Sequence, residues 1–440
     1  MMFQSLPNLP GLPGWGSFDE LYRQQEKRLR ETLRWARRSP FYRARIPDSD
    51  LTNGFSDLAG MPITTKQDLR ESYPFGMLAV PRSELATYHE SSGTTGEPTS
   101  SYLTDEDWYE MATRFGRNAV HLSPTDTVLI RTPYSMLITA HQAHQAARLR
   151  GATVVPADNR SLLMPYSRVI RLLRDLDVTV AWCLPTECFL WAAAAREAGL
   201  KPDSDFPALR AFFVAGEPLS AARRKRIEAL WGGRRVYEDY GSTETGSLGG
   251  ECPAGQVHLW ADRFLGEVYD PKTGRSSREG RGQLLITSLY RKAMPLVRYN
   301  IEDVVELSER DCDCGWRLPV IRVFGRAAGG IDVSGVRITQ DALEELVLAL
   351  PVEQNVLFWR ARAHSRHVEM EIEVAEDQAE LACAELTAAV QSVLGVRCEV
   401  RALPPGSLVP HGVLVGDREF AKPRSLFAAN ENWDRAVLYY

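Results

Sequence analysis

The chain has 440 residues, of which 44% are hydrophobic and 25% charged, and its net charge is −5. That length suits two or three domains of ~100–200 residues each, and the slight acidity leaves no basic excess for a nucleic-acid backbone. Apolar runs such as 191–195 fall far short of the ~20 residues a membrane span needs.

Residues 1–15 are rich in proline and glycine and read as a loosely held arm. The N-terminus lacks the charged start and long apolar stretch of an export signal. The cytoplasm is therefore the expected location, where the seven cysteines would build no disulfide framework. From 18 to 36 (FDELYRQQEKRLRETLRWA) apolar residues recur at helical spacing, which predicts an amphipathic helix. The run YHESSGTTGEPTSSYLT (88–104) reads as a loop. Helix DEDWYEMATRFGRNAVHL, strand TDTVLIRTPY, helix HQAHQAARLRGA and strand TVVPAD follow it. Helix YSRVIRLLRDLD, strand VTVAWCLP, helix ECFLWAAAAREAG and strand LRAFFVAGE continue the alternation. This pattern predicts a parallel sheet with helices on its faces. Past 240, VHLW, LGEVYD, GQLLITSL and VVELSE predict short, mostly antiparallel strands. The glycine-rich GRAAGGIDVSGVRI marks a bend or linker, and the helices and strands beyond it predict a small α+β domain.

Three stretches carry residue types suited to phosphate chemistry. In 91–96 the hydroxyls of Ser91, Ser92, Thr94 and Thr95 offer donors, and Gly93 and Gly96 let the backbone approach an anion. The same composition suits a plain surface loop, and Glu97 stands where a nucleotide loop would carry lysine. In VYEDYGSTETG (236–246) a strand ends in a turn, the place where open α/β sheets bind ligands. Tyr240 there can stack on a planar base and Glu244 can hold a divalent cation, or the segment is an ordinary turn. In PLVRYNIEDVVEL, Asp303 can accept both hydroxyls of a ribose or cap a turn.

With AGEPLS (215–220) and FGRAAGGIDVSGVRI (324–338), these stretches in this order resemble the adenylate-forming superfamily of acyl-CoA synthetases and nonribosomal adenylation domains. The resemblance is nearest to its phenylacetate–CoA ligase branch and runs from about 20 to 425. It implies an α/β fold with a large N-terminal domain over 1–326, built on a parallel α/β sheet plus an antiparallel β subdomain. A small mobile C-terminal α+β domain over 327–440 completes it. It further implies that the 91–96 loop closes over the β- and γ-phosphates of ATP. Glu217, Pro218, Glu238, Asp239 and Tyr240 would border the adenine. Thr243 would meet the α-phosphate, Glu244 would ligate magnesium, Asp303 would hold the ribose, and Arg326 would reach ribose or phosphate. Lys422, in GDREFAKPRSLF, is the nearest counterpart of the late catalytic lysine. Ala327 and Ala328 replace the acidic pair usual after the hinge Gly-Arg.

Cys312 and Cys314 sit in the turn ERDCDCGWR, and Cys252 and His258 lie in GGECPAGQVHLW. Three thiolates and an imidazole complete a structural zinc shell. The other reading is reduced thiols on turns; the resemblance adds weight to zinc, since some members of the branch carry such a knuckle. Cys183, Cys188, Cys383 and Cys398 lie in apolar stretches and read as core residues. The acid pocket is expected from Tyr134, Ser135, His141, His144, Ala215 and Gly216, with Trp182 and Pro185 as a flat wall for an aromatic acid.

The expected activity is formation of an acyl-adenylate from a carboxylic acid and ATP, followed by transfer to the thiol of CoA. A carrier protein, an amine or another small nucleophile is the alternative acceptor, and a non-catalytic zinc-braced binding protein is the alternative class. Neither nucleic acid nor membrane is an expected partner, and a homodimer stays open.

Overall fold

The structure is a computed structural model and describes residues 15–46, 54–91, 97–159, 161 and 163–416. Most of the arm expected over 1–15 lies outside these residues. Twelve strands form one mixed sheet. Its parallel half runs Thr153–Pro156, Thr127–Arg131, Val180–Cys183, Ala211–Val214 and the first part of Arg235–Ser242. Every residue of Val180–Cys183 and Ala211–Val214 is buried, as strands covered on both faces must be. Alternation divides the core between the two faces. Leu129, Ala181 and Phe212 pack with helices Tyr166–Asp175, Pro185–Glu197 and Ala221–Leu230. Ile130, Val180 and Phe213 pack with Asp105–Phe115 and Ile138–Leu149.

The antiparallel half continues through Gly246–Glu251, Val257–Leu259, Val320–Arg326, Tyr299–Ser308, Gly280–Ser288, Phe264–Asp270 and Arg275–Ser277. Leu21, Leu29 and Leu33 of the predicted helix, Phe18–Ala36, pack here against Leu284, Ile286 and Leu307. The last part of the described chain is a three-stranded sheet, Trp359–Ala363, His367–Glu373 and Arg397–Leu403. Helices Gln340–Leu348 and Ala379–Leu394 cover it, with Val347, Val368, Ile372, Leu386 and Val390 at its centre. The observed architecture is thus the expected α/β sheet with an antiparallel extension and a small C-terminal α+β unit.

Three local readings change. The run 88–104 expected as a loop contains most of two paired strands, Thr87–Glu90 and Ser100–Leu103, with Glu90 opposite Ser100. The helix expected through 122 ends at Phe115, where Gly116 caps it and the Asn118 amide turns aside to donate to Glu238 O at 2.8 Å. The bend expected near 330 is a hairpin, Ile331–Val333 with Val336–Ile338, turned by Ser334 and Gly335 at φ 53° and 83°. No described helix is long and apolar enough to cross a membrane.

Candidate active site

Strand Arg235–Ser242 is where the sheet changes sense. Val214 pairs in parallel with Glu238, and one residue on Asp239 pairs antiparallel with Gly250. Ligands of open α/β sheets bind beyond the carboxyl ends of the parallel strands, and residues 239–246 follow such an end. The strand then folds back through a tight turn. A Cβ on Gly241 would strike the backbone of Gly246, and one on Gly246 would lie 2.7 Å from Gln142 Oε1, so both positions demand glycine.

Glu244 sits buried in that turn, with Thr243 half-buried beside it. The Thr99 hydroxyl donates to Glu244 Oε1 at 2.7 Å, and the Tyr299 hydroxyl lies 3.3 Å from the same oxygen. Ser91 Oγ accepts from Thr99 N at 2.9 Å, which ties the start of the 91–96 loop to the turn. Burial pushes the Glu244 carboxyl up, but Thr99, its own backbone N–H and the Lys66 charge outweigh it, so it stays below its ordinary value and ionised. Arg291 pins the turn, donating to Glu244 O, to Ser101 Oγ at 2.8 Å and to Tyr102 O at 3.1 Å. Burial holds its guanidinium down, to about 10.

A second cluster lies alongside. Asp303 Oδ2 accepts from the Tyr240 hydroxyl at 2.7 Å, and Arg326 Nε is 3.2 Å from Oδ1. Asp303 and Arg326 are cross-strand partners, and Glu302, at φ 68°, lies in a bulge of the strand that presents Asp303. Burial raises the Asp303 carboxyl against the opposing pull of Arg326 and the Tyr240 hydrogen bond.

Lys66 lies outside the motifs that the sequence marks. Thr64 bridges Tyr299, and Asn300 N donates to Thr64 O at 2.8 Å, which fixes helix Lys66–Glu71 beside the strand carrying Asp303. The Lys66 ammonium lies 3.9 Å from Glu302 and lowers the carboxyls of both Glu244 and Asp303. One turn on, Arg70 donates to Glu97 O at 2.9 Å. The neighbouring helix thus sets one cation on Glu97 O and another beside Glu302. A Thr65–Asp68 capping box followed by two cations four residues apart was the available signal.

Other expected residues are placed as follows. Glu238 and Tyr240 share one face of their strand, so Asp239 must take the other. It is buried there, accepting from Ser247 Oγ at 2.6 Å. Burial and the neighbouring Glu251 raise the Glu238 carboxyl to about 7 against Arg224. Glu217 Oε2 accepts from Thr186 N at 3.0 Å and from Arg223 at 2.8 Å, and Arg223 also donates to Pro218 O. Gly216 turns at φ 83° next to Ala215. Ser92, Gly93, Thr94, Thr95, Gly96 and Lys422 lie outside the described residues.

Tyr134 and His141 do meet. Their rings are 5.4 Å apart and edge-on, and the Tyr134 hydroxyl is 3.1 Å from His144 Nδ1. His89 joins them, 5.4 Å from His141 and stacked on Trp108 at 5.7 Å. Burial, and then His141, depress the His89 imidazole to about 4, so it is neutral at physiological pH. His89 and Trp108 were not anticipated. Trp182 is no wall; it is 1% exposed, packed against Phe115 and Phe213 at 4.9 and 4.7 Å.

Cys252, His258, Cys312 and Cys314 converge, with all four ligand atoms within 4.8 Å of one another. Cys252 Sγ is 3.8 Å from Cys312 Sγ, and Cys314 Sγ is 3.5 Å from His258 Nε2. Zinc–sulfur bonds of ~2.3 Å and zinc–nitrogen bonds of ~2.0–2.1 Å in a tetrahedron give edges of about 3.8 and about 3.6 Å. His258 Nδ1 donates to Leu318 O at 2.8 Å, which leaves Nε2 its lone pair. The four residues fit a closed zinc shell joining the ends of adjacent strands.

A family model described as AMP-binding enzyme matches residues 54–278, and the chain belongs to that adenylate-forming family. A phenylacetate-coenzyme A ligase of Thermus thermophilus is 32% identical over 391 residues, covering 86% of this chain and 85% of the relative. Among solved structures, a 2-hydroxyisobutyryl-CoA ligase in the postadenylation state, complexed with R3-HIB-AMP, shares the fold at TM-score 0.82 and 23% identity, covering 92% of each chain. The same ligase with 2-HIB-AMP and CoA in the thioesterification state matches at TM-score 0.66 and 25% identity, over 92% of this chain and 89% of that one. The protein is an adenylate-forming acid–CoA ligase, and the non-catalytic binding protein is set aside.

Proposed function

We propose that the enzyme activates an aromatic carboxylic acid with ATP and passes the acyl group to the CoA thiol. The carrying observation is the meeting, at one switch strand, of Thr99–Glu244–Tyr299 with Tyr240–Asp303–Arg326. In the first step a carboxylate oxygen attacks the α-phosphorus and pyrophosphate leaves. Two anions approach, so cations and donors must stand where the charge gathers. Lys66, Arg70 and Arg326 supply fixed positive charge, and Thr243 faces the α-phosphate in this reading. Asp303 takes the ribose hydroxyls, exchanging its Tyr240 bond for them, and Tyr240, Glu238, Glu217 and Pro218 border the base. Ionised Glu244 is the oxygen donor a magnesium ion would use beside the phosphates. The 91–96 loop covers the pyrophosphate side, and Lys422 is assigned to the adenylation step alone.

In the second step the CoA sulfur attacks the acyl carbonyl and AMP leaves. The part beyond 326 acts as the small domain and turns between steps. The better match to the postadenylation state supports reading the present arrangement as the one before that turn. Aromatic selectivity is assigned to Tyr134, His141, His89 and Trp108, in line with the relative's phenylacetate. Cys252, His258, Cys312 and Cys314 hold a structural zinc. We place the enzyme in the cytoplasm.

AMP release with arylacetic acid and ATP tests the acceptor. It should rise severalfold on adding CoA and yield the thioester. Release that responds to an amine or a carrier-bound thiol and ignores CoA would overturn the assignment.

A further inference from the structure

The hairpin of strands Trp359–Ala363 and His367–Glu373 carries a second group of metal-binding donors: His364, His367 and Glu369. Their ligand atoms all lie within 4.8 Å of one another. His364 Nε2 is 3.2 Å from Glu369 Oε2, and His367 Nε2 is 3.8 Å from Glu369 Oε1. The imidazoles stand parallel, 4.5 Å apart with planes 7° apart, and both present Nε2 to the same carboxylate. Nothing in the ligase chemistry uses them.

The backbone holds this arrangement. His364 N donates to His367 O at 2.9 Å and closes the turn, and Ser334 N donates to Ser365 O at 2.9 Å. The second bond ties the turn to hairpin Ile331–Val333/Val336–Ile338, just after the hinge strand. His367 and Glu369 are two apart on one strand and so project from one face. A strand pair braced from two sides is a sounder base for ligands than a free loop.

We infer that His364, His367 and Glu369 form a divalent transition-metal site on the small domain, separate from the Cys/His shell. Two imidazole nitrogens and a carboxylate suit zinc, nickel or copper rather than magnesium or calcium. Three protein donors leave coordination positions to water, unlike the closed thiolate shell. Arg362, 4.0 Å from Glu369, is the nearby cation the ion must outcompete.

The test is equilibrium dialysis of the full chain against zinc chloride at micromolar free metal, with metal analysis. Two equivalents are expected in the wild type. One should remain after His364→Gln or Glu369→Gln, whose folding is checked by circular dichroism and whose ligase activity should be unchanged. Cys314→Ser should lose the other equivalent instead. A wild type that binds one equivalent, all of it released when the thiols are alkylated, would overturn the proposal. So would variants that retain both equivalents with unaltered affinity.

Discussion

Glu244 and Asp303 are both buried carboxylates, yet their surroundings push them in opposite directions. Glu244 is held ionised by Thr99, its own amide and Lys66, whereas burial raises Asp303 against Arg326. That separation suits a cation ligand beside a sugar-binding acid. Glu244→Ala is expected to cut magnesium-dependent pyrophosphate exchange by about a hundredfold or more, since on the proposed assignment it removes the carboxylate that would hold magnesium beside the α-phosphate. Asp303→Ala should act chiefly on the KM for ATP, raising it about tenfold, as expected for lost hydrogen bonds to a charged group. Lys66→Ala should slow exchange with little change in melting temperature; an unaltered rate would remove it from the site. Tyr240, Glu244, Asp303 and Arg326 were readable because each stands in a motif with its own residue types, in a fixed order. Lys66, Arg291, His89 and Trp108 were not, because tertiary pairings such as the Thr64–Tyr299 bridge bring them in.

Elements set the limits on those motifs. Strand alternation places Asp239 opposite Glu238 and Tyr240, a constraint that the period of two alone would have exposed. It likewise leaves Trp182 among the aromatic rings of the sheet's covered face. The strands around the glycine loop escaped notice because four-residue segments of serine, tyrosine and histidine carry little hydrophobic alternation. His89, on one of them, makes this hairpin pH-sensitive. Its folded-state value, about 4, lies below the ordinary value, so the unfolded chain binds the extra proton. Its contribution should be complete above about pH 6.5 and decline as pH falls towards 4. Replacing His89 by Gln should flatten that part of the stability–pH curve, measured by urea unfolding between pH 4 and 7.

For the molecule as a whole, the parallel half with its helices was legible from alternating segments. The joining of both halves into one twelve-stranded sheet was not, because it depends on Arg235–Ser242 pairing in opposite senses along its length. The small unit meets the large one through Arg223 and Glu344, 3.5 Å apart, and through Ala222 N donating to Glu345 at 3.0 Å. Breaking the first of these contacts with Arg223→Ala should favour the turned arrangement and speed thioester formation relative to adenylation in single-turnover assays. On the zinc assignment proposed above, the Cys/His shell braces the antiparallel half, so chelation or Cys314→Ser should lower the melting temperature while leaving substrate affinities near normal. The most direct measurement is exchange of labelled pyrophosphate into ATP over a panel of aryl and alkyl acids, using folded, zinc-replete enzyme. Magnesium-dependent exchange, strongest with arylacetic acids and abolished by Glu244→Ala, is the expected result; no exchange with any acid would contradict the proposed activity.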